Sequence, residues 1–323
     1  MNLQLKSKPF SFPLTKPLQT STGVIKEKKG WLIKLRNDRG RIGWGEISPL
    51  QISELQICAR IINNLSTTTS REALEKKIKT WPGSLGFAIG AALAEIDGLI
   101  GSESKQNWLK VSSSALLLPT DKSLILSTLD SFLEKNQLLQ KSLTYKWKVT
   151  NSSNNFNINL VKQILFRIPK NSLLRIDANG SWNRKQAKDW ADLLHNEPKL
   201  EWLEQPLPFN DIEGLQELAN QIPVALDESL ILYPSLRKTW KNWQVRRPLL
   251  EGDPRDLLAE LSTKNSYKTI STCFETGIGR RWVEHFAALQ QKGATPTQPG
   301  LAPGWCPNGP LFSYNPQLVW DAA

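Results

Sequence analysis

The stretch LLRIDANGSWNRKQAKDWADLLHNEPKLEWLEQP, residues 173–206, reads as strand, helix, strand. An apolar run closes on DANG, an amphipathic helical segment follows, and a second apolar run closes on EQP. Outward from it the same alternation continues in both directions. SSALLLP and SLTYKWKVT precede it, with helical segments after each, the second around 156–168. PVALDES, NWQVRRP, YKTISTCFE and TPTQPG follow it, with helices expected near 210–220, 231–240, 253–263 and 278–291. That makes eight strand candidates, each but the last followed by a helix. Such alternation implies a parallel sheet, and eight units over about 190 residues suit a closed (β/α)8 barrel. No GxGxxG follows the first strand, which counts against an open doubly wound sheet.

The first hundred residues have a different style. Segments 2–12, 23–37 and 40–47 read as strands, with KEKKG (26–30) as a hairpin tip and RNDRG (36–40) as a turn. Segments 51–65, 70–79 and 85–101 read as helices. The expected fold class is α/β: a modified (β/α)8 TIM-like barrel with an α+β N-terminal capping domain. The expected domains are 1–105 for the α+β part, 106–300 for the barrel, and a tail, 301–323, that returns to the first domain.

Composition bounds the function. The chain has 323 residues, 40% hydrophobic and 22% charged, an ordinary globular balance. The apolar run FAIGAALAEIDGLIG is interrupted by Glu95 and Asp97, so no membrane span is expected, and MNLQLKSKPFSF lacks a signal-peptide core. Cys58, Cys273 and Cys306 are widely separated and point to reduced thiols in a cytoplasmic protein. His195 and His285 sit in helical segments and read as surface or packing residues. The net charge of +11 comes from scattered lysines and arginines without a basic helix or RNA-binding aromatic motif. No nucleic-acid partner is expected; a small anionic substrate or a basic surface accounts for the charge.

In a parallel barrel, chemistry gathers at the C-terminal ends of the strands. Those ends carry Lys146 and Lys148, then Asp177, Glu204 and Asp227 on three consecutive strands, 27 and 23 residues apart. The period of two puts both lysines on one face and Trp147 on the other. Three converging carboxylates repel unless a cation neutralises them, and all-oxygen donors suit a hard divalent ion such as Mg²⁺. Asn179 and Glu228 lie close by, Asn179 able to hydrogen-bond a ligand or the substrate and Glu228 facing away or supporting the site from behind.

KWK (146–148), DANGSW (177–182), EWLEQP (201–206), ALDES (225–229) and SxxxE (271–275) together resemble the strand-end motifs of the enolase superfamily, in its muconate-lactonizing subgroup. TSTG (20–23) resembles the loop that covers the substrate, with Thr20 and Ser21 facing it, and GWGEISPL (43–50) resembles the capping-domain signature. The resemblance spans nearly the whole chain. It implies Mg²⁺, with Mn²⁺ as a possible substitute, bound by Asp177, Glu204 and Asp227. It implies an enolate formed when a base takes a proton next to a carboxylate, a pattern for which the superfamily is a standard example. Lys148 is then the acid–base residue, and Lys146 stays charged beside it, tuning it and supporting a substrate carboxylate. Ser271, Thr272, Glu275, Thr276 and Gly277, with Asn179, are implied to bind the substrate, the ETGIG turn (275–279) through backbone N–H groups.

One position departs from the pattern. The subgroup carries a lysine before proline at the sixth strand, and QVRRP (244–248) puts Arg247 there, with Arg246 adjacent. Arginine is a poor general base, so the two-base chemistry of a racemase suffers, whereas a same-face elimination needs Lys148 alone. Arg247 then holds a carboxylate or stacks on the ring. The function so implied is a Mg²⁺-dependent dehydratase, a carbon–oxygen lyase. It would convert 2-succinyl-6-hydroxy-2,4-cyclohexadiene-1-carboxylate, a small anionic dicarboxylate, to o-succinylbenzoate in menaquinone or phylloquinone biosynthesis. It would act as a monomer or weak homo-oligomer. An N-succinylamino acid racemase or dipeptide epimerase is the alternative on the same scaffold, and a non-catalytic binding protein derived from the family is the second.

Overall fold

The computed structural model describes residues 2–20, 23–101, 107–136, 143–149, 154–263 and 266–323. In chain order the first part comprises β1 (Asn2–Thr20), β2 (Gly23–Asn37), β3 (Ile42–Ile47), α1 (Ile52–Asn63), β4 (Thr68–Ser70), α2 (Arg71–Ile78) and α3 (Gly83–Ile96). The middle comprises β5 (Leu116–Leu117), α4 (Lys122–Asn136), β6 (Thr144–Lys148), α5 (Asn154–Arg167), β7 (Leu173–Asp177), α6 (Arg184–Leu194) and β8 (Leu200–Glu204). It continues with α7 (Ile212–Ala219), β9 (Val224–Leu226), α8 (Glu228–Leu232), α9 (Leu236–Thr239) and β10 (Trp243–Arg246). The chain closes with α10 (Pro254–Ser262), β11 (Lys268–Ile270), α11 (Gly277–Gln291) and α12 (Pro316–Ala322). Two compact units result, one of residues 1–112 with 246–323 and one of residues 113–245.

The first unit holds an antiparallel sheet in the order β3-β2-β1-β4. Its long central hairpin pairs Leu3 with Asn37 through to Thr20 with Gly23. The expected hairpin tip at KEKKG is corrected here, because all five residues lie inside β2. Tertiary contacts explain why. Lys28 is buried and donates from Nζ to the carbonyls of Ser48 (3.1 Å) and Pro49 (2.8 Å). Burial lowers its pKa, and Cys273, Glu46 and Glu275 only partly offset that. Gly30 is required by close approach rather than by a turn: a Cβ there would stand 1.9 Å from the Ile47 carbonyl oxygen. RNDRG does turn, with Gly40 at φ 81. Helix α3 is buried along nearly its whole length and fills the core between this sheet and helices α1 and α2.

The same unit contains α10, β11, α11 and the C-terminal segment. Ser271 N–H donates to the Arg246 carbonyl, and Thr272 N–H donates to that of Gly300. The eighth strand candidate, TPTQPG, thus survives only as an isolated parallel bridge between Gly300 and Ser271. The tail packs on the N-terminal sheet. Lys8 Nζ donates to the Trp320 carbonyl at 2.9 Å, and the Trp44 and Trp320 rings lie 5.8 Å apart.

In the second unit, β5 to β10 run parallel in chain order, paired neighbour to neighbour. Their outward side chains meet α4 to α7 in one continuous core that includes Trp147, Trp182 and Trp190, the last two stacked at 5.0 Å. Helix α6 starts where the sequence sets it: Asn183 accepts from Gln186 N–H, and the Gln186 side chain returns the bond to Asn183 N–H. A register shift at Leu174–Arg175 lets Arg175 reach Glu201 (2.6 Å) while its guanidinium lies 4.1 Å over the Trp202 ring. Lys148, Asp177 and Glu204 therefore end strands whose own residues are locked by pairing and packing, and Lys146 lies two residues inside the first of these strands.

Candidate active site

The register of the parallel strands brings the predicted residues to one end of the second unit. Lys148 pairs with Asp177, and Asp177 pairs with Glu204. Asp227 follows β9 by one residue, at the turn into α8. Asp177, Glu204 and Asp227 are all buried. Lys146 Nζ sits between two of them, 2.8 Å from Asp177 Oδ2 and 2.6 Å from Glu204 Oε1. Lys148 Nζ is 3.8 Å from Asp177 Oδ2 and donates to Asn179 Oδ1 at 3.1 Å. Lys146, Lys148, Asp177, Glu204 and Asn179 thus form one cluster.

Charge explains the arrangement. Burial acts to lower the Lys146 pKa, but Asp177, Glu204 and Asp227 outweigh it and hold the ammonium above the usual lysine range. Burial acts to raise the Asp177 pKa, yet Lys146, Lys148 and the Asn179 N–H bring it below the ordinary carboxylate value. Glu204 goes the other way. Its burial, reinforced by Asp177 and Asp227, raises its pKa against the pull of Lys146. The site is short of positive charge even with Lys146 inside it.

That shortage tests the expected metal. Buried carboxylates at successive strand ends, one of them pushed towards protonation by burial and then by the others, make a donor set that suits a hard divalent cation. The Lys146 ammonium occupies the cation's electrostatic role between Asp177 and Glu204. Among the described residues, no group of three or more acidic, histidine or cysteine side chains is gathered closely enough to hold a metal ion as the side chains stand. The residues fit the charge of the ion, and the lysine holds their side chains in a lysine-paired arrangement.

Asn179 has φ 46, a left-handed conformation that asparagine tolerates. Its N–H donates to Asp177 Oδ1 (2.9 Å) and its side-chain amide donates to Glu228 Oε1 (3.2 Å). Glu228 thus backs Asn179, which in turn holds Lys148. This chain of contacts lay beyond sequence reasoning, since only the left-handed turn at DANG aims the asparagine back at the lysine.

The other predicted residues lie in the first unit. Arg246 and Arg247 divide their roles. Arg246 is buried in ion pairs with Glu251 (2.6 Å) and Glu260 (2.7 Å). Arg247 is less buried, takes Glu251 Oε1 on its N–H, and donates from its guanidinium to the Thr272 carbonyl at 2.7 Å. Thr272 Oγ1 donates to Glu275, and both the N–H and hydroxyl of Thr276 donate to Glu46. Gly279 N–H also donates to Glu46. The N–H groups of Ser271, Thr272, Thr276 and Gly279 are therefore engaged within the protein. Gly277 is explained by packing: a Cβ there would lie 1.9 Å from the Ser313 carbonyl oxygen. Thr20 ends β1, and Ser21 lies outside the described residues.

Comparison with known proteins bears on this cluster. Residues 138–242 match the family model described as enolase C-terminal domain-like, a span that carries Lys146, Lys148 and all three acids. The o-succinylbenzoate synthase of Thermosynechococcus vestitus is 28% identical over 305 residues, covering 87% of this chain and 88% of that protein. The chain is similar to the o-succinylbenzoate synthases. The resemblance drawn from the motifs is borne out, and with it the expectation of an enzyme. The L-Ala-D/L-Glu epimerase of Bacillus subtilis is 24% identical over 255 residues, 71% of this chain and 67% of that protein. Among solved structures, o-succinylbenzoate synthase from Thermosynechococcus elongatus, complexed with Mg in its active site, aligns with a TM-score of 0.80 at 24% identity, covering 99% of this chain and 100% of that one. The B. subtilis epimerase aligns with a TM-score of 0.67 at 18% identity, over 91% and 88% of the two chains. The fold class expected from the sequence, the modified barrel with an α+β capping domain, is borne out by these likenesses. Among the described residues no helix is long and apolar enough to cross a membrane.

Proposed function

We propose that this protein is a Mg²⁺-dependent dehydratase that converts 2-succinyl-6-hydroxy-2,4-cyclohexadiene-1-carboxylate to o-succinylbenzoate, in the cytoplasm and within quinone biosynthesis. The observation that carries the reading is the pairing of two lysines on one strand with Asp177 and Glu204 on the next two. Asp177, Glu204 and Asp227 would hold the metal, which as a Lewis acid neutralises the charge that builds on the substrate carboxylate. Lys148 takes the proton from the carbon next to that carboxylate. The C–H electron pair forms the new ring double bond, the C–O bond on the same face breaks, and Lys148 returns its proton to the departing oxygen as water. No oxidant is needed, and the ring becomes aromatic. Lys146 remains an ammonium and faces the substrate carboxylate. Asn179, backed by Glu228, keeps Lys148 in place.

The epimerase reading has support in the relatives of that name. It requires a second base on the other face, and the residue at the matching position is Arg247, whose guanidinium already donates to the Thr272 carbonyl. The deciding experiment is an ultraviolet assay for aromatic product from the cyclohexadiene substrate, with Mg²⁺ and with a chelator. Mg²⁺-dependent product is expected. No product, together with α-deuterium exchange on both enantiomers of an N-succinylamino acid or dipeptide in D₂O, would overturn the dehydratase in favour of the epimerase.

A further inference from the structure

Gln205, the residue after Glu204, is fully buried and holds a left-handed backbone with φ 38. A side chain at positive φ costs energy that glycine avoids, so its retention calls for a compensating set of contacts. The contacts are there. Its amide oxygen accepts from the N–H groups of Asp227 and Ser229, each at 3.2 Å. Its amide nitrogen donates to the Leu207 carbonyl (3.1 Å) and to Ser229 Oγ (2.8 Å), and Ser229 Oγ donates onward to the Phe209 carbonyl. Both donors and both acceptor positions of the amide are therefore used.

The backbone of the same residue reaches the other neighbours. Gln205 N–H donates to the Ala225 carbonyl at 2.8 Å, and its carbonyl accepts from Gly180 N–H at 2.6 Å. One residue thus ties together the strand ends that carry Asp177, Glu204 and Asp227. The need is greatest at Asp227. The ladder between β8 and β9 ends at the Glu204–Ala225 pair, and Asp227 sits beyond it at φ −122, ψ −81, before a helix of only five residues. The two N–H bonds to Gln205 hold that turn in place.

We propose that Gln205 is the positioning residue of the metal site: its side-chain amide fixes the Asp227 turn against the Glu204 strand end, so that the acids face one point. The inference rests on the metal reading of the preceding subsection. Bound groups that orient the ligands of a metal ordinarily change its affinity by about 10- to 100-fold when removed.

The test is Mn²⁺ titration of metal-free full-length protein, read by electron paramagnetic resonance, with amide hydrogen exchange of the metal-free chains alongside. Two variants separate the side chain from the backbone. Gln205→Gly deletes the amide while suiting φ 38, and Gln205→Met keeps the bulk without the hydrogen bonds. Both are expected to bind Mn²⁺ at least about tenfold more weakly, to alter the spectrum of the bound ion, and to exchange the Asp227 and Ser229 amides faster. A role limited to backbone strain predicts the reverse for Gln205→Gly. A parent chain that does not bind Mn²⁺ overturns the metal reading, and this inference with it. A parent that binds, with either folded variant binding within about twofold, overturns the inference alone.

Discussion

Lys146 Nζ lies 2.6 Å from Glu204 Oε1, with side-chain exposures of only 14% and 2%. A half-buried ammonium on a barrel strand is thereby the counter-charge of acids proposed to hold a metal. Removing one partner of such a pair leaves a buried charge uncompensated, a loss of about 3–5 kcal/mol. Lys146→Met is therefore expected to lower the melting temperature sharply in a chelator, and Mg²⁺ is expected to restore more stability to the variant than it adds to the parent. Calorimetry of both proteins with and without Mg²⁺ checks this. Equal Mg²⁺ shifts in the two proteins would remove Lys146 from the acid cluster's charge balance.

Lys148 stands differently. Among the described residues its contacts are the Asn179 amide oxygen at 3.1 Å and Asp177 at 3.8 Å, with no second close carboxylate. Less of the fold depends on it. Lys148→Ala is expected to keep the parent's melting temperature within a few degrees while turnover of the cyclohexadiene substrate falls by about 10²–10⁴-fold, the usual contribution of a general acid–base. Near-normal turnover would remove Lys148 as the proton carrier.

Gly277 gives a prediction whose sign decides between two explanations. At the first position of α11, alanine would ordinarily favour the helix by up to about 1 kcal/mol. Here its Cβ meets the Ser313 carbonyl oxygen at 1.9 Å and the Ser313 carbonyl carbon at 2.8 Å, both backbone atoms that cannot swing aside. Gly277→Ala is expected to destabilise by about 1–3 kcal/mol, the cost of forcing atoms into a packed site. A rise in melting temperature would show that the Ser313 backbone yields.

Much of this architecture was legible because its signals are local. Alternating strands and helices, and acids one repeat apart, are properties of short stretches, and the strands β5 to β11 fall where the pattern puts them. What escaped depended on partners far along the chain. KEKKG has turn-like composition, and only the Ile47 carbonyl beside Gly30 and the Ser48 and Pro49 carbonyls around Lys28 make it strand. The three-residue β4 is too short for any period and exists through pairing with β1. Within the site, the acids and lysines could be listed from strand ends, but the Asn179 bridge between Lys148 and Glu228 needed a backbone at positive φ. The Arg175–Glu201 pair likewise needed a register shift that no side-chain period reports.

His285 carries the clearest pH prediction. It is buried in α11 against Trp108, with ring centroids 5.8 Å apart, and its Nδ1 accepts from the Leu109 N–H at 3.2 Å. A proton on Nδ1 would face that N–H, and burial, with a smaller push from Lys292, lowers its pKa from 6.5 to about 4. The folded state then binds fewer protons than the unfolded state between pH 4 and 6.5. Stability rises with pH where the unfolded state holds more protons, so this contribution is complete above about pH 6.5 and is lost as pH falls through 6.5 to 4. The gap corresponds to about 3 kcal/mol. Buried Glu46 and Glu95, both raised to about 7, act in the opposite sense as their pH window is crossed, so the parent alone would show a mixed slope. His285→Gln keeps an acceptor for Leu109 without a titrating ring and isolates the histidine. Across denaturant melts from pH 7 to 4, the parent is expected to lose about 3 kcal/mol relative to the variant; a constant difference would mean that His285 does not titrate in this range.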